Sequence, residues 1–497
     1  MPSKIKSVAI IGAGPAGAIA IDAFAQEQAF DKIRVFERRE KPGGCWLYDT
    51  TEPAPLSNLS ALASRTADTP VEAPGPLPGY FPRPPQNRFN DTPVYPTLEA
   101  NIDAGIMQFS QEPIPEIRSA ASIKIHGADT PFRHHTVIQR YIESLVKRRG
   151  YERLVEYDTT VERAEKVPVG QKAGKDAEGR WVLTLRKQVP AIETDYWWQE
   201  EFDAVVVATG HYAVPFVPAI EGLEGFARDV PGSVLHTKGF RDPERFRGKK
   251  VITVGASVSG ADTAVSLIGI AQNPIYASVR GKYNPYFGDE AFKHPGIERR
   301  PPITRIEGTG SRRTVHFEDD SSIADVDHII FGTGYTWTLP FLPQVPVRNN
   351  RVPDLYLHIF HQQDPTLAFI GAVAAGFTFK VFEWQAVLAA RVFAGKATLP
   401  SKEEQRSWEV KRIEARGDST KFTLISPDFE NYFETLRKLA TTPREGEPGR
   451  RLPEFDPSWV GRFAASHQRR IKMWKKANED AARGADRKST AERVSKL

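Results

Sequence analysis

The 497-residue sequence has one cysteine, three methionines and almost no excess of one charge sign, and each scarcity removes a class of function. A lone thiol, Cys45, cannot close an internal disulfide or build a multi-cysteine zinc or iron–sulfur site. Nor can it supply the paired cysteines of a flavin disulfide reductase. A reducing compartment suits such a chain. Lys and Arg number 67 against 62 Asp and Glu, a formal net charge of +5, too little for a nucleic-acid-binding stripe. Long apolar runs are missing too: the longest uncharged one, Leu367 to Phe379, is interrupted by glycines and falls short of the ~20 residues a membrane span needs. No nucleic-acid partner and no transmembrane segment are expected. Length is not scarce, and at roughly 100–200 residues per domain the chain holds two or three domains.

What is present begins with a short apolar run, Val8 to Ile11, suited to a strand buried on both faces of a parallel sheet. Glycines follow, then an alanine-rich segment with helical periodicity from Pro15 to Gln26, then a second strand, Lys32 to Phe36. This is a βαβ unit. The stretch from Asp49 to Pro96 carries eleven prolines, which remove backbone donors and predict an irregular or mobile excursion. It has no clean P-x-x-P register, so a polyproline ligand is disfavoured. Further strands are predicted at Val161, Trp181 to Leu185 and Phe202 to Ala208, with a helix at Val137 to Lys147. A second strand–glycine–helix unit opens at Val251 to Val254, continues as a helix through Ala261 to Ile268, and returns as a strand, Ile275 to Val279. Strands at Val315 to Phe317 and His328 to Phe331 follow, then helices at Phe382 to Phe393 and near Phe463 to Ala482. The basic run Arg469, Arg470, Lys472, Lys475 and Lys476 is expected to be a solvated helix face.

The first glycine segment is Gly12-Ala13-Gly14-Pro15-Ala16-Gly17. In a dinucleotide fingerprint the first glycine permits the tight turn, the second admits the pyrophosphate, and the third lets helix and strand pack closely. The helix N-terminus then offers amides to the phosphates. Glu37, at the end of the second strand, stands where a carboxylate accepts from an adenosine ribose. The second segment, Gly255-Ala256-Ser257-Val258-Ser259-Gly260, has Ser257 in place of the middle glycine. Arg280 ends the strand that should meet its ribose, Lys282 lies beyond, and no acid is there, so this site is expected to prefer NADP(H) to NAD(H). Two dinucleotide sites in one chain imply electron transfer between a flavin and a nicotinamide.

Glu40-Lys41-Pro42-Gly43-Gly44-Cys45-Trp46 resembles the G-G-x-W motif of the class B flavin-dependent monooxygenases, and with it the chain resembles a flavin-containing monooxygenase. Pro96 to Phe109, Phe132 to Ile142, Ala208-Thr209-Gly210-His211-Tyr212, Gly332-Thr333-Gly334-Tyr335 and Phe382 to Ala386 are similar to further segments of that family. Its identifying motif is met by Gly232, His236 and Phe240, with Val230 where phenylalanine is usual. The sister Baeyer–Villiger class ends this motif in tryptophan, whereas Phe240 is followed here by Arg241, which favours heteroatom oxygenation.

The resemblance implies an α/β fold with two Rossmann-like dinucleotide-binding domains and a mainly helical C-terminal extension. The FAD domain would comprise 1–212, with the Pro-rich excursion at 49–96, and 329–400; the NADP domain 213–328; the extension 401–497. It implies FAD and NADP(H) as cofactors, and a C4a-hydroperoxyflavin that oxygenates a small amine, thioether or thiol with molecular oxygen as co-substrate. Asn101 falls on the family's active-site asparagine. Gly44, Cys45, Trp46 and Val161 are assigned to cofactor binding, with Trp46 near the flavin or NADP+ and Tyr212 near NADP+, and Cys45, beside the expected flavin, is expected to be an unreactive small hydrophobe. His236 is expected to act as a hinge. The alternatives are a Baeyer–Villiger enzyme acting on a ketone and a flavin-nucleotide binding protein read by a partner. Ser495, Lys496 and Leu497 spell a peroxisomal address behind the polar, mobile segment Arg487 to Val494, which predicts an import-receptor partner; otherwise the cytoplasm is expected.

Overall fold

A computed structural model describes residues 5–86, 88–168, 179–189, 191–309, 312–374 and 376–494. Ser495, Lys496 and Leu497, with the address they were read as, lie outside these residues. Strand Ser7–Ile11 is buried along its whole length and pairs in parallel with Lys32–Phe36 on one side and Ala204–Val207 on the other. Such strands are apolar at successive positions because both faces are covered. One face meets helices Pro15–Gln26, His135–Lys147 and Thr378–Phe393. The other meets Trp181, Leu183, Leu185 and Phe202 from an antiparallel sheet built of Gly79–Pro82, Thr159–Pro168, Gly179–Gln188 and Thr194–Phe202. Short strands Leu355–Tyr356, Phe360–His361, Leu367–Phe369 and Val155–Glu156 extend the central sheet to seven.

The second unit is a five-stranded sheet, all parallel, in the order Val234–His236, His328–Phe331, Val251–Val254, Ile275–Ser278 and Ile297–Arg300. Its glycine helix runs Val258–Ser266, three residues earlier than the apolar spacing suggested, because the helix begins directly at the glycine turn. A three-stranded antiparallel sheet of Ile303–Thr309, Arg312–Phe317 and Ser322–Ile323 precedes the return strand His328–Phe331.

Three expectations are corrected. The Pro-rich stretch is not loose: it contains helix Leu59–Ser64 and strand Gly79–Pro82, and Leu59 and Leu62 pack against the second unit. The Lys238 ammonium donates to Asp91 at 2.9 Å and Arg241 to the Thr92 carbonyl at 2.6 Å, so the stretch straps one sheet to the other. The segment Arg487 to Val494 is not mobile coil but the end of a 37-residue helix, Ser458–Val494. The basic run on that helix is only partly solvated. Arg469 bonds Asp129 and the His126 carbonyl, and Arg470 bonds Asp262, while Lys472, Lys475 and Lys476 are exposed. Hydropathy alone could not show these pairings, since their acids lie 208 to 340 positions away in sequence. Among the described residues no helix is long and apolar enough to cross a membrane.

The extension, with helices Lys402–Arg416 and Phe429–Ala440, is fastened through Arg450, which has no exposed side-chain surface. Its guanidinium meets Asp22 of the first glycine helix, Glu383 of the late helix at 2.7 Å and Glu112 at 2.7 Å. Removing a buried ion leaves its partners charged in a poorly solvating interior. Arg450→Ala should therefore destabilise the protein by about 3–5 kcal/mol, read as a fall in thermal midpoint, whereas exposed Arg483→Ala should leave the midpoint near the parent's.

Candidate active site

Each glycine turn is closed by backbone alone. The Gly12 amide donates to the Phe36 carbonyl at 2.8 Å and the Gly255 amide to Ser278 at 3.0 Å. Behind each turn runs one of the two A/G-T-G segments: the Ala208 amide donates to Ile11 at 2.9 Å and the Gly332 amide to Val254 at 2.7 Å. A Cβ at Gly12 would lie 2.8 Å from the Ala208 oxygen, and one at Gly255 would lie 2.5 Å from the Gly332 oxygen. Both glycines hold positive φ, +102° and +117°, so only glycine serves at either point. Gly17 and Gly260 pack on these turns, where an added Cβ would be 1.9 Å from the Gly12 oxygen and 2.3 Å from the Gly255 oxygen. The first two contacts bring one A/G-T-G segment against each turn.

The helices begun by these turns have no side-chain cap, so their first amides remain free for an anion. Gly14 packs directly on Gly44, whose Cα would lie 3.4 Å from a Cβ added at Gly14, so no side chain stands between the two backbones beside the helix amides. Glu37 is buried, with its carboxylate oxygens held by the Ala13 amide at 2.7 Å and the Arg39 amide at 2.9 Å. Burial pushes its pKa up, partly offset by those amides. Glu37 thus ties the turn to the strand end, and each oxygen keeps a lone pair for a further donor such as a ribose hydroxyl.

The matching amide bonds equate Ser278 with Phe36, so Val279 occupies the Glu37 position and Arg280 the Arg38 position. The expectation that Arg280 replaces the acid is off by one residue; a buried valine does. Arg280 and Lys282 nonetheless border the cavity as exposed cations, with no ion-pair partner among the described residues. Ser257 caps the turn without a clash, its hydroxyl accepting from the Asn284 amide at 3.3 Å.

Both turns open into one cavity of about 1730 Å³. Gly44, Cys45 and Trp46 form a short 3₁₀ turn on its wall, and Trp46 meets Phe379 edge-on at 6.4 Å. Asn101 stands on a loop fixed from both sides by Ala100 to Arg133 at 2.8 Å and Ala104 to Pro131 at 3.0 Å; it lines the cavity and its side chain has no hydrogen-bond partner among the described residues. Val161 lines the cavity from strand Thr159–Pro168. Tyr212 stands between His211 and Tyr335, at ring separations of 4.3 and 5.5 Å. Burial holds the Cys45 thiol up at about 11, Tyr212 at about 12 and His211 down at about 4. His236 does not border the cavity; it is buried, accepts from the Lys238 amide at 3.1 Å and packs on Tyr335. The buried Asn90 Oδ1 and His211 Nδ1 have no protein partner, two unmet polar atoms on a wall sized for a dinucleotide. The residues present fit FAD at the first turn and NADP(H) at the second.

A flavin-binding monooxygenase-like family model matches 98–284 and 300–444, and an NAD(P)-binding Rossmann-like model matches 10–66. The chain belongs to the flavin-binding monooxygenase family. Its cofactors are FAD and NADP(H). The monooxygenase is 28% identical to flavin-containing monooxygenase ustF2 of Aspergillus flavus over 93% of this chain and 97% of that one. It is 29% identical to FMO GS-OX-like 2 of Arabidopsis thaliana over 88% of this chain and 85% of that one. Among solved structures, S-allyl-L-cysteine S-oxygenase from Allium sativum matches with a TM-score of 0.70 and 25% identity over 98% of both chains. Cyclohexanone monooxygenase shares the fold, at a TM-score of 0.55 and 14% identity.

Sequence reasoning missed the contribution of the C-terminal helix, from which Phe463, His467 and Arg470 line the enzyme's cavity. Their i, i+4, i+7 spacing, continued to Trp474, was the available signal. For the nucleotide site, Arg280→Gln should raise the KM for NADPH roughly 10–100-fold, the loss of one charge-assisted contact, and leave the KM for NADH near the parent value.

Proposed function

We propose that the protein is an NADPH- and dioxygen-dependent monooxygenase that transfers one oxygen atom to a soft nucleophile, sulfur or amine nitrogen, of a small molecule. The observation that carries this reading is the state of three titratable groups that border the cavity close together, each held in its neutral form at neutral pH. Cys45 is a neutral thiol, Tyr212 a neutral phenol and His211 a neutral imidazole. A soft nucleophile accepts oxygen by direct attack and needs no strong base, so this inventory suits sulfur or nitrogen. Bound FAD, reduced by NADPH, supplies the activated oxygen. The chain's own part is to hold both nucleotides by the glycine turns, exclude water with aromatic walls and present Asn101.

Asn101 offers two donors and an acceptor from a backbone-braced loop, and would hold the nicotinamide amide and the bound flavin in one arrangement. The similarity to an S-oxygenase along the full chain supports sulfur as the acceptor atom. The structural likeness to a ketone-oxidising enzyme is one of fold.

Asn101→Ser should retain flavin reduction by NADPH but divert most turnover to hydrogen peroxide, measured as peroxide released per NADPH oxidised in the presence of a thioether. Coupling equal to the parent's would contradict the role given to Asn101. A ketone that is esterified faster than a thioether is sulfoxidised would contradict the reaction class. Because the chamber groups titrate near 4 or above 10, single-turnover oxygen transfer should be flat between about pH 6 and about pH 8.

A further inference from the structure

The C-terminal helix reaches the cavity beside Asn101. Ser466 accepts from the Asp103 amide at 3.0 Å, and Arg462 pairs with the Asp103 carboxylate at 2.8 Å. Asp103 lies two residues from Asn101, so the helix face one turn around is set against the loop that presents the asparagine. That face carries Phe463 and His467, both almost fully buried and both on the cavity wall. The His467 ring stacks on Tyr286 at 4.9 Å and 13°, and Phe463 meets His467 edge-on at 4.4 Å. Phe287 closes the box at 4.8 Å from His467.

The position of this box depends on the nucleotide-bearing unit. Asn284 donates to Ser257 in the second glycine turn and accepts from the Tyr286 amide at 2.9 Å. Beside the box Arg470 pairs with Asp262 and lies over Phe287 and Trp474 at 5.2 and 5.1 Å. Burial keeps His467 neutral, its pKa lowered to about 4 against a bond to the Phe463 carbonyl.

Resting on the oxygenase reading above, we infer that Phe463 and His467 of the C-terminal helix form the specificity wall, which selects an uncharged thioether with a flat or linear apolar body over a zwitterionic one. A flat or linear apolar group can lie against the cavity side of these rings and keep apolar contact. A zwitterion brings an ammonium and a carboxylate against a wall of rings, and it must give up its water there.

The test compares thioanisole with S-methyl-L-cysteine on the FAD-loaded full-length protein, by kcat/KM for sulfoxide formation and by calorimetric titration of thioanisole. The parent should favour thioanisole at least about tenfold, the scale of discrimination a shaped apolar pocket gives. Phe463→Ala and His467→Ala should each cut that ratio about tenfold, through KM, and weaken thioanisole binding in the titration to match. Phe463→Leu, which keeps bulk but removes the flat ring, should lower the ratio in the same direction and serves if the alanine variant loses its flavin. Equal preference in the parent, or an unchanged ratio in Phe463→Leu and His467→Ala, would overturn the inference while leaving the oxygenase reading intact. If the parent consumed NADPH but oxygenated neither sulfide nor a tertiary amine such as N,N-dimethylaniline, the oxygenase reading would fail and this inference with it.

Discussion

The structure depends on backbone meeting backbone at two glycine turns. At Gly12 against Ala208 and at Gly255 against Gly332, an added methyl group would fall inside contact distance of a carbonyl oxygen. The same approach that excludes a side chain brings each A/G-T-G segment to the mouth of a turn and leaves the helix amides behind it unpaired. Nucleotide binding and domain linkage are thus one geometric feature. The segments that join the two units are those that close the two sites, and both sites share a single cavity.

Around these turns the chain adds straps. The Pro-rich stretch crosses from the antiparallel sheet to the second unit and is pinned by Lys238 and Arg241. The C-terminal helix makes a second crossing, with Arg462 and Arg469 on one side and Arg470 and Asn478 on the other. The buried Arg450 cluster anchors the coil that leads into it. A monooxygenase must keep water away from its activated oxygen, and two straps over an inter-domain cavity are a means of doing so without a dedicated lid.

The parts legible in the sequence were those with local periodicity or a fixed spacing. The fold class followed from the alternation of apolar strand, glycine and helix, repeated at Val8 to Gln26 and at Val251 to Ser266. The family followed from Gly43 to Trp46 and the paired A/G-T-G segments. What was not legible was set by tertiary partners. The spacing of prolines from Asp49 to Pro96 shows where backbone donors are missing, but not that Leu59 and Leu62 have a hydrophobic seat elsewhere. The charges of Arg469 and Arg470 show a basic helix, but not that Asp129 and Asp262 face them. The one-residue shift that puts Val279 opposite Glu37 emerges only from the amide bonds at the turns, because the two loops have different lengths.

The most direct test of the central claim is turnover of a thioether under oxygen-18 gas with NADPH as the reductant. The arrangement described here predicts a sulfoxide carrying one labelled oxygen per product molecule, formed in step with NADPH oxidation. Unlabelled sulfoxide, or NADPH consumed with an equal yield of hydrogen peroxide and no oxygenated product, would contradict it.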